Sequence, residues 1–229
     1  MDPQLSLLPV DQSILLETSD VLRQIARAHR ALGELKGAAG IIPNELILID
    51  TLALQEAKDS SAIENIITTD DELYQGDAAS GQFPNAAAKE VHNYVGALKT
   101  GFERVRQQQF LRLDDVLSIQ AALEENRAGL RKLPGTALKN QQTGEVVYEP
   151  PQDPAEIERL MNNFLEHFHR KETDDLDPLV RMAVLHYQFE SIHPFYDGNG
   201  RTGRILNLLH LVLHGLLDLP VLYLSRYIV

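Results

Sequence analysis

The 229-residue chain predicts an all-α fold that carries one small β-hairpin, and three observations lead there. Apolar residues return at three- and four-residue spacing through most of the chain, the pattern of helices with one buried face. Only residues 136–149 read as strands, with a Val-Val-Tyr run set between breakers. Finally, a glycine-rich turn at 198–203 opens directly into the apolar run Ile205–Leu217, again at helical spacing.

Residues 1–12 contain prolines and no pattern, and read as an extended arm. From Ser19 to Lys36, Val21, Leu22, Ile25, Leu32 and Leu35 keep a helical period, with Gly37 as the expected stop. Pro43-Asn44 opens a second helix carrying Leu46, Ile49, Leu52 and Leu54, and in the stretch from Lys58 to Asn65 it places Ser60 and Glu64 one turn apart on one face. Asp77 to Pro84, rich in Gly, Ser and Ala, reads as a loop. Helices are expected near Ala86–Gln108, Leu113–Arg127 and Pro154–Lys171. Between the last two, Leu133-Pro134-Gly135 breaks the chain, Thr143-Gly144 turns it, and Glu145–Glu149 forms a strand ended by Pro150-Pro151. A buried helix from Leu176 to Ile192 places Leu179, Met182, Ala183 and Phe189 near one side and runs straight into His193. This divides the chain into an N-terminal helical region, 1–85, and a core, 86–229. Tyr223 to Val229 ends without a polar tail, which leads us to expect that the native chain continues.

Hydrophobic content of 44% and charged content of 24% are those of an ordinary globular protein. No apolar stretch has the length of a membrane span, since Ile205–Leu217 is short and contains His210 and His214. The start, Met-Asp-Pro-Gln-Leu, lacks the pattern of a secretory signal, and there is no cysteine. These features point to a cytoplasmic protein without membrane contact. A net charge of −12 repels a nucleic-acid backbone, and no Lys/Arg stripe offsets it, so no nucleic acid is expected on this segment.

The chemistry concentrates in His193-Pro-Phe-Tyr-Asp-Gly-Asn-Gly-Arg-Thr-Gly-Arg204. Gly198, Asn199 and Gly200 form a turn at a helix start, where free N–H groups and the positive end of the helix dipole attract an anion. Arg201 and Arg204, three apart, are expected to share a helix face and clamp neighbouring phosphates. Asp197 is suited to a magnesium ion bridging them, and His193 to accepting a proton near neutral pH. Each residue also has a plain reading. Asp197 alone would be a cap, Asn199 a turn support, Phe195 a core anchor, and Glu64 a solvated helix residue. The other seven histidines read as surface or satisfied core residues. His210 and His214 are spaced to share a metal but lack a third ligand.

The run from His193 to Arg204 matches the Fic motif, His-Pro-Phe-x-Asp-Gly-Asn-Gly-Arg-x-x-Arg, at every defined position. Ser60-Ser61-Ala62-Ile63-Glu64-Asn65 similarly resembles the Fic autoinhibitory pattern, Ser/Thr-x-x-x-Glu-Gly/Asn. The likeness extends from about residue 20 to the end, its specific parts being these two motifs. It implies a Fic-type helical bundle whose hairpin flap, 136–149, docks a target protein by strand addition. It further implies a protein adenylyltransferase that moves AMP from ATP to a Ser, Thr or Tyr hydroxyl of that target. In this reading His193 is the base and Asp197 holds Mg²⁺ or Mn²⁺. The nucleotide is bound by Gly198, Asn199, Gly200, Arg201, Thr202, Gly203 and Arg204, with His193 and Glu64 beside it. Ser60, Glu64 and Asn65 form the inhibitory element, in which Glu64 reaches Arg204, and a shielded bidentate pair there would suppress transfer about a hundredfold. Self-modification and homo-oligomerisation are compatible with it. The alternatives are transfer of another phosphate-containing group, removal of AMP, and a nucleotide-binding regulator, DNA-linked through a segment beyond Val229. A kinase-like relative departs from the Gly-Asn-Gly pattern kept here.

Overall fold

The computed structural model describes residues 5–11, 13–42, 44–76, 81–140, 142–170 and 176–228, with the side chains of residues 45 and 46 left out. Pro43 as a helix opener, the Leu46 packing position, the 77–80 part of the loop and a helix end at Lys171 fall outside these residues. Among them the elements run in order α1 (Ser19–Ala39), α2 (Glu45–Ile63), α3 (Asp70–Gln75), α4 (Ala86–Gln108), α5 (Leu113–Glu124), β1 (Leu138–Lys139), β2 (Val146–Tyr148), α6 (Pro154–His169), α7 (Pro178–Ile192) and α8 (Asn199–Leu213). A 3-10 turn follows at Ser225–Tyr227. The all-α expectation with one hairpin therefore holds. β1 and β2 pair antiparallel, Leu138 opposite Tyr148, with an irregularity in register between Leu138 and Lys139.

Local chemistry sets the helix ends. Thr18, Asn85, Asp153 and Asp177 cap α1, α4, α6 and α7 with side-chain oxygens, and Pro154 and Pro178 sit where a helix needs no N–H donor. The short helix α3 was missed in the sequence. It has too few residues to show a period, yet it starts on a full capping box between Thr69 and Glu72. Gly37 does not stop α1, which runs on to Ala39 and is capped by Gly40. A mid-helix glycine costs about 1 kcal/mol against Ala but does not forbid a helix. The helix expected over Leu113–Arg127 ends at Glu124, where Glu125 takes a left-handed conformation at φ 51°.

The core forms around α4. Val91, Tyr94, Leu98, Phe102 and Val105 are buried along it, against α2, α5 and α8. The helices approach closely at Gly101, where a Cβ would stand 2.6 Å from Leu209 Cδ1 and 2.9 Å from Ile119 Cδ1. Helices α6 and α7 close the other side, with Phe168, Phe164, Phe189 and Phe195 in successive tilted ring contacts. The described part of the N-terminal arm is docked. Leu8 exchanges main-chain bonds with the Asn163 amide at 2.8 and 3.1 Å, and Gln188 donates to Ser6 O. Among the described residues no helix is long and apolar enough to cross a membrane.

Candidate active site

The first turn of α8 lies at the centre of the site. Gly198 occupies the left-handed region at φ 76°, which turns the chain abruptly into the helix. The first intrahelical bond is Thr202 N–H to Gly198 O, so the N–H groups of the turn before it lack helix partners. Asp197 Oδ1 accepts the Gly198 N–H at 2.7 Å while its carboxylate remains at the surface. The Asn199 amide is a loop pin, accepting Phe195 N–H at 2.9 Å and donating to Phe195 O at 2.8 Å. Phe195 is fully buried, the core anchor expected from the sequence. Thr202 is buried with its hydroxyl unpartnered.

The inhibitory motif meets this turn from α2. Helix α2 ends in a Schellman arrangement, with Ile66 N–H on Ser61 O, Asn65 N–H on Ala62 O, and Asn65 at φ 63°. The Asn of the motif therefore supplies the left-handed residue that ends the helix, and Glu64 becomes its last cap position. A carboxylate at a helix C-terminus is disfavoured by the dipole; here it is compensated across the gap. Arg204 Nη2 donates to Glu64 Oε1 at 2.8 Å and to Ser60 O at 2.9 Å, and Nε donates to Ser60 Oγ at 2.7 Å. A Cβ on Gly200 would overlap Glu64 Oε1, so the carboxylate rests directly on the first turn of α8. The contact of Glu64 with Arg204 is single and its side chain is 40% exposed, in place of the shielded bidentate pair expected.

Arg201 departs from expectation. It does not share a target with Arg204, because its guanidinium turns the other way, between Glu90 of α4 at 2.9 Å and Glu124 of α5 at 2.8 Å, and is 3% exposed. Residues three apart on a helix differ by 60° in direction, enough for two long side chains to diverge toward separate neighbours. Burial raises the Glu124 carboxyl above its usual value, with Arg201 opposing and Asp197 and Glu90 adding. Behind the turn, Glu190 of α7 reaches Gly203, where a Cβ would lie 2.6 Å from Glu190 Oε1. Burial foremost pushes its carboxyl up to about 7, with Arg204 opposing and Glu64 adding.

His193 ends α7 in the left-handed region, φ 47° and ψ 59°, half-buried. Burial, then the charge of Arg131, lowers its imidazole below the ordinary range, while the Glu190 carbonyl, Glu64 and Asp197 act the other way. Its Nδ1 is buried with no hydrogen-bond partner. The ring is therefore suited to being a neutral base. Arg131, Glu90, Glu124 and Glu190 were not singled out from the sequence. Each is an ordinary charge on a helix or loop, and nothing local marks its contact with a residue of another element. Among the remaining histidines, His210 and His214 are bonded to Pro178 O and Phe168 O, at 3.0 Å each, so both serve packing.

The flap stands clear of the core. Tyr148 donates to Ser191 O at 2.9 Å, two residues before His193, while Val147 beside it is 71% exposed. The phenol oxygen of Tyr196, within the motif, accepts N–H bonds from Lys132 and Leu133 at the root of the flap.

Residues 22–103 match the Fic/DOC family N-terminal region and residues 110–211 the Fic/DOC family domain. The chain belongs to the Fic/DOC family. Over 56 residues, 24% of this Fic chain and 13% of the relative, it is 43% identical to a protein adenylyltransferase Fic of Nematostella vectensis. Over 102 residues, 44% of the chain and 20% of the relative, it is 31% identical to a protein adenylyltransferase Fic of Aedes aegypti. These matches span a minor part of the relatives' length. The fold is that of a Fic family protein from Desulfovibrio desulfuricans, with a TM-score of 0.70, 23% identity, and coverage of 93% of this chain and 63% of that one.

Proposed function

We propose that this chain is a protein adenylyltransferase that moves AMP from ATP to a hydroxyl of a target protein, held off in cis by Glu64. The observation that carries the proposal is the carboxylate of Glu64 resting on Gly200 while pairing with Arg204. A carboxylate there takes the place of an anion on a helix N-terminus, which makes an inhibitor of phosphate binding out of an otherwise ordinary helix end. Once Glu64 leaves, the turn N–H groups and Arg204 are available to triphosphate oxygens. His193 accepts the proton of the target hydroxyl as its oxygen attacks the α-phosphorus. The P–O bond to the leaving diphosphate then breaks, and the freed charge is met by Arg204 and the helix N-terminus. Arg201 has a supporting role in this scheme. Its pairs with Glu90 and Glu124 hold α8 against α4 and α5, and it reaches phosphate only by leaving them.

Asp197 suits a hydrated Mg²⁺ or Mn²⁺, since such ions take one or two carboxylates and complete their shell with water and phosphate. Asp197 is exposed beside the turn, with Oδ1 on the Gly198 N–H, and is the candidate ligand. When bound, the ion would neutralise phosphate charge. The flap, with its exposed Val147 edge, is the proposed docking strand for the target. The N-terminal region through residue 85 is assigned the regulatory part and residues 86–229 the catalytic part. The deciding experiment incubates the Glu64→Gly variant with lysate and ATP labelled at either the α- or the γ-phosphate. Label from the α position alone supports adenylyl transfer. Label from the γ position, or none with nucleotide still bound, would replace it with phosphoryl transfer or a binding role.

A further inference from the structure

Arg131 lies in the loop between α5 and the flap. It is fully buried, yet among the described residues no carboxylate forms an ion pair with it. All its bonds go to main chain. Nε donates to His193 O at 2.7 Å, and Nη2 to Pro151 O at 2.9 Å and Ile192 O at 3.3 Å. Its own N–H donates to Pro194 O at 2.9 Å, and Nη1 has no partner. Burying a cation without a counter-ion costs several kcal/mol, and an apolar side chain of like volume would avoid that cost.

Resting on the reading of His193 as the base, we propose that Arg131 positions it, by clamping the carbonyls of Ile192, His193 and Pro194 and so holding the left-handed turn that aims the imidazole. Pro194 disfavours a right-handed conformation at the residue before it, so α7 must end at His193. Proline leaves extended backbone open there as readily, and the left-handed alternative is the sterically unfavourable one for a non-glycine residue. A conformation of that kind persists only where surrounding bonds over-determine it, and Arg131 supplies those bonds. The same guanidinium holds Pro151, where the chain leaves the flap, so one side chain joins the docking strand to the base. Its charge has a second effect. Glu64, Asp197 and the Glu190 carbonyl favour a protonated His193, and Arg131 together with burial opposes them. The clamp therefore orients the base and helps keep it unprotonated.

The test places Arg131→Met and Arg131→Lys in the Glu64→Gly background and measures kcat, KM for ATP, the pH profile of transfer, and the His193 titration by NMR. Arg131→Met should lower kcat about 100-fold, as expected for a misplaced catalytic group, with KM for ATP unchanged. Its acid limb and the His193 titration should move upward on loss of a neighbouring positive charge. Arg131→Lys keeps the charge but loses the planar fork, so its titration should stay in place while kcat still falls. A folded Arg131→Met with unchanged kcat and titration overturns the proposal. If Arg131→Met does not fold, an Arg131→Lys enzyme with unchanged kcat overturns it instead. If no variant transfers label, including the Glu64→Gly parent, the functional reading has failed. The NMR titration still decides the effect of Arg131 on His193, and an unmoved titration in Arg131→Met then overturns it.

Discussion

Replacing Glu64 with Gly removes one contact from Arg204 and one carboxylate from the anion turn. The 2.8 Å bond is charge-assisted, and such bonds contribute about 1.5–3 kcal/mol when shielded. Arg204 is 7% exposed but Glu64 is 40% exposed, so solvent screening places the pair nearer 1 kcal/mol. The carboxylate must also be displaced from above Gly200 before a phosphate can lie there, and we assign that a similar amount. Together they come to about 2 kcal/mol, or roughly thirtyfold in rate, below the hundredfold expected of a shielded bidentate pair. Two bonds that Arg204 donates to Ser60 remain in the variant, so Arg204 stays ordered. Glu64→Asp, one methylene shorter, should give a smaller increase. The assay is the initial rate of auto- and target-labelling from α-labelled ATP at saturating ATP and Mg²⁺. If Glu64→Gly labels no faster than the parent, the inhibitory reasoning is wrong and Glu64 is an ordinary helix-end carboxylate.

Replacing His193 with Ala should lower transfer by about 10²–10⁴-fold, the usual contribution of a general base, with calorimetric ATP affinity retained; a large loss of affinity would make it a nucleotide ligand instead. Asp197→Ala should abolish metal-dependent transfer, and full activity of the parent in excess chelator would refute that role. The folded chain holds a proton on Glu190 up to about pH 7, which the unfolded chain releases near 4.5. Stability should therefore fall as pH rises through that window and level off above it. Glu190→Gln should remove this fall and raise the melting temperature more at pH 8 than at pH 4.5, whereas equal gains at both would contradict the assignment. Gly101→Ala, driven against Leu209 and Ile119, should destabilise by about 1–3 kcal/mol, read as a lower denaturation midpoint with unchanged labelling at low temperature.

Most helices were legible because burial of one face writes a period into the sequence. α4 runs over the residues expected, and α6, α7 and α8 differ only at their ends. α3 was not legible, having too little length for a period, although its capping box was visible in Thr69 and Glu72. The pair between Glu64 and Arg204, 140 residues apart, is present as a single contact; its expectation came from the likeness to the Fic inhibitory pattern, and only the helix end at Asn65 is a local property.

The division between chain and fold follows from the range of the forces. By itself the sequence determined the helical class, the hairpin, the glycine turn at Gly198–Gly200 that opens α8 and the proximity of His193 to it, since all of these depend on neighbours within about one or two helical turns. The direction of Arg201 toward Glu90 and Glu124, the perturbed Glu190 and the clamp of Arg131 on the His193 turn were decided only by tertiary packing. The bonds of Arg131 to His193 and of Arg201 to Glu90 join residues 62 and 111 positions apart, and the charges beside Glu190 come from α8 and the end of α2. Their strength comes from exclusion of water by the packed helices, which no local pattern encodes.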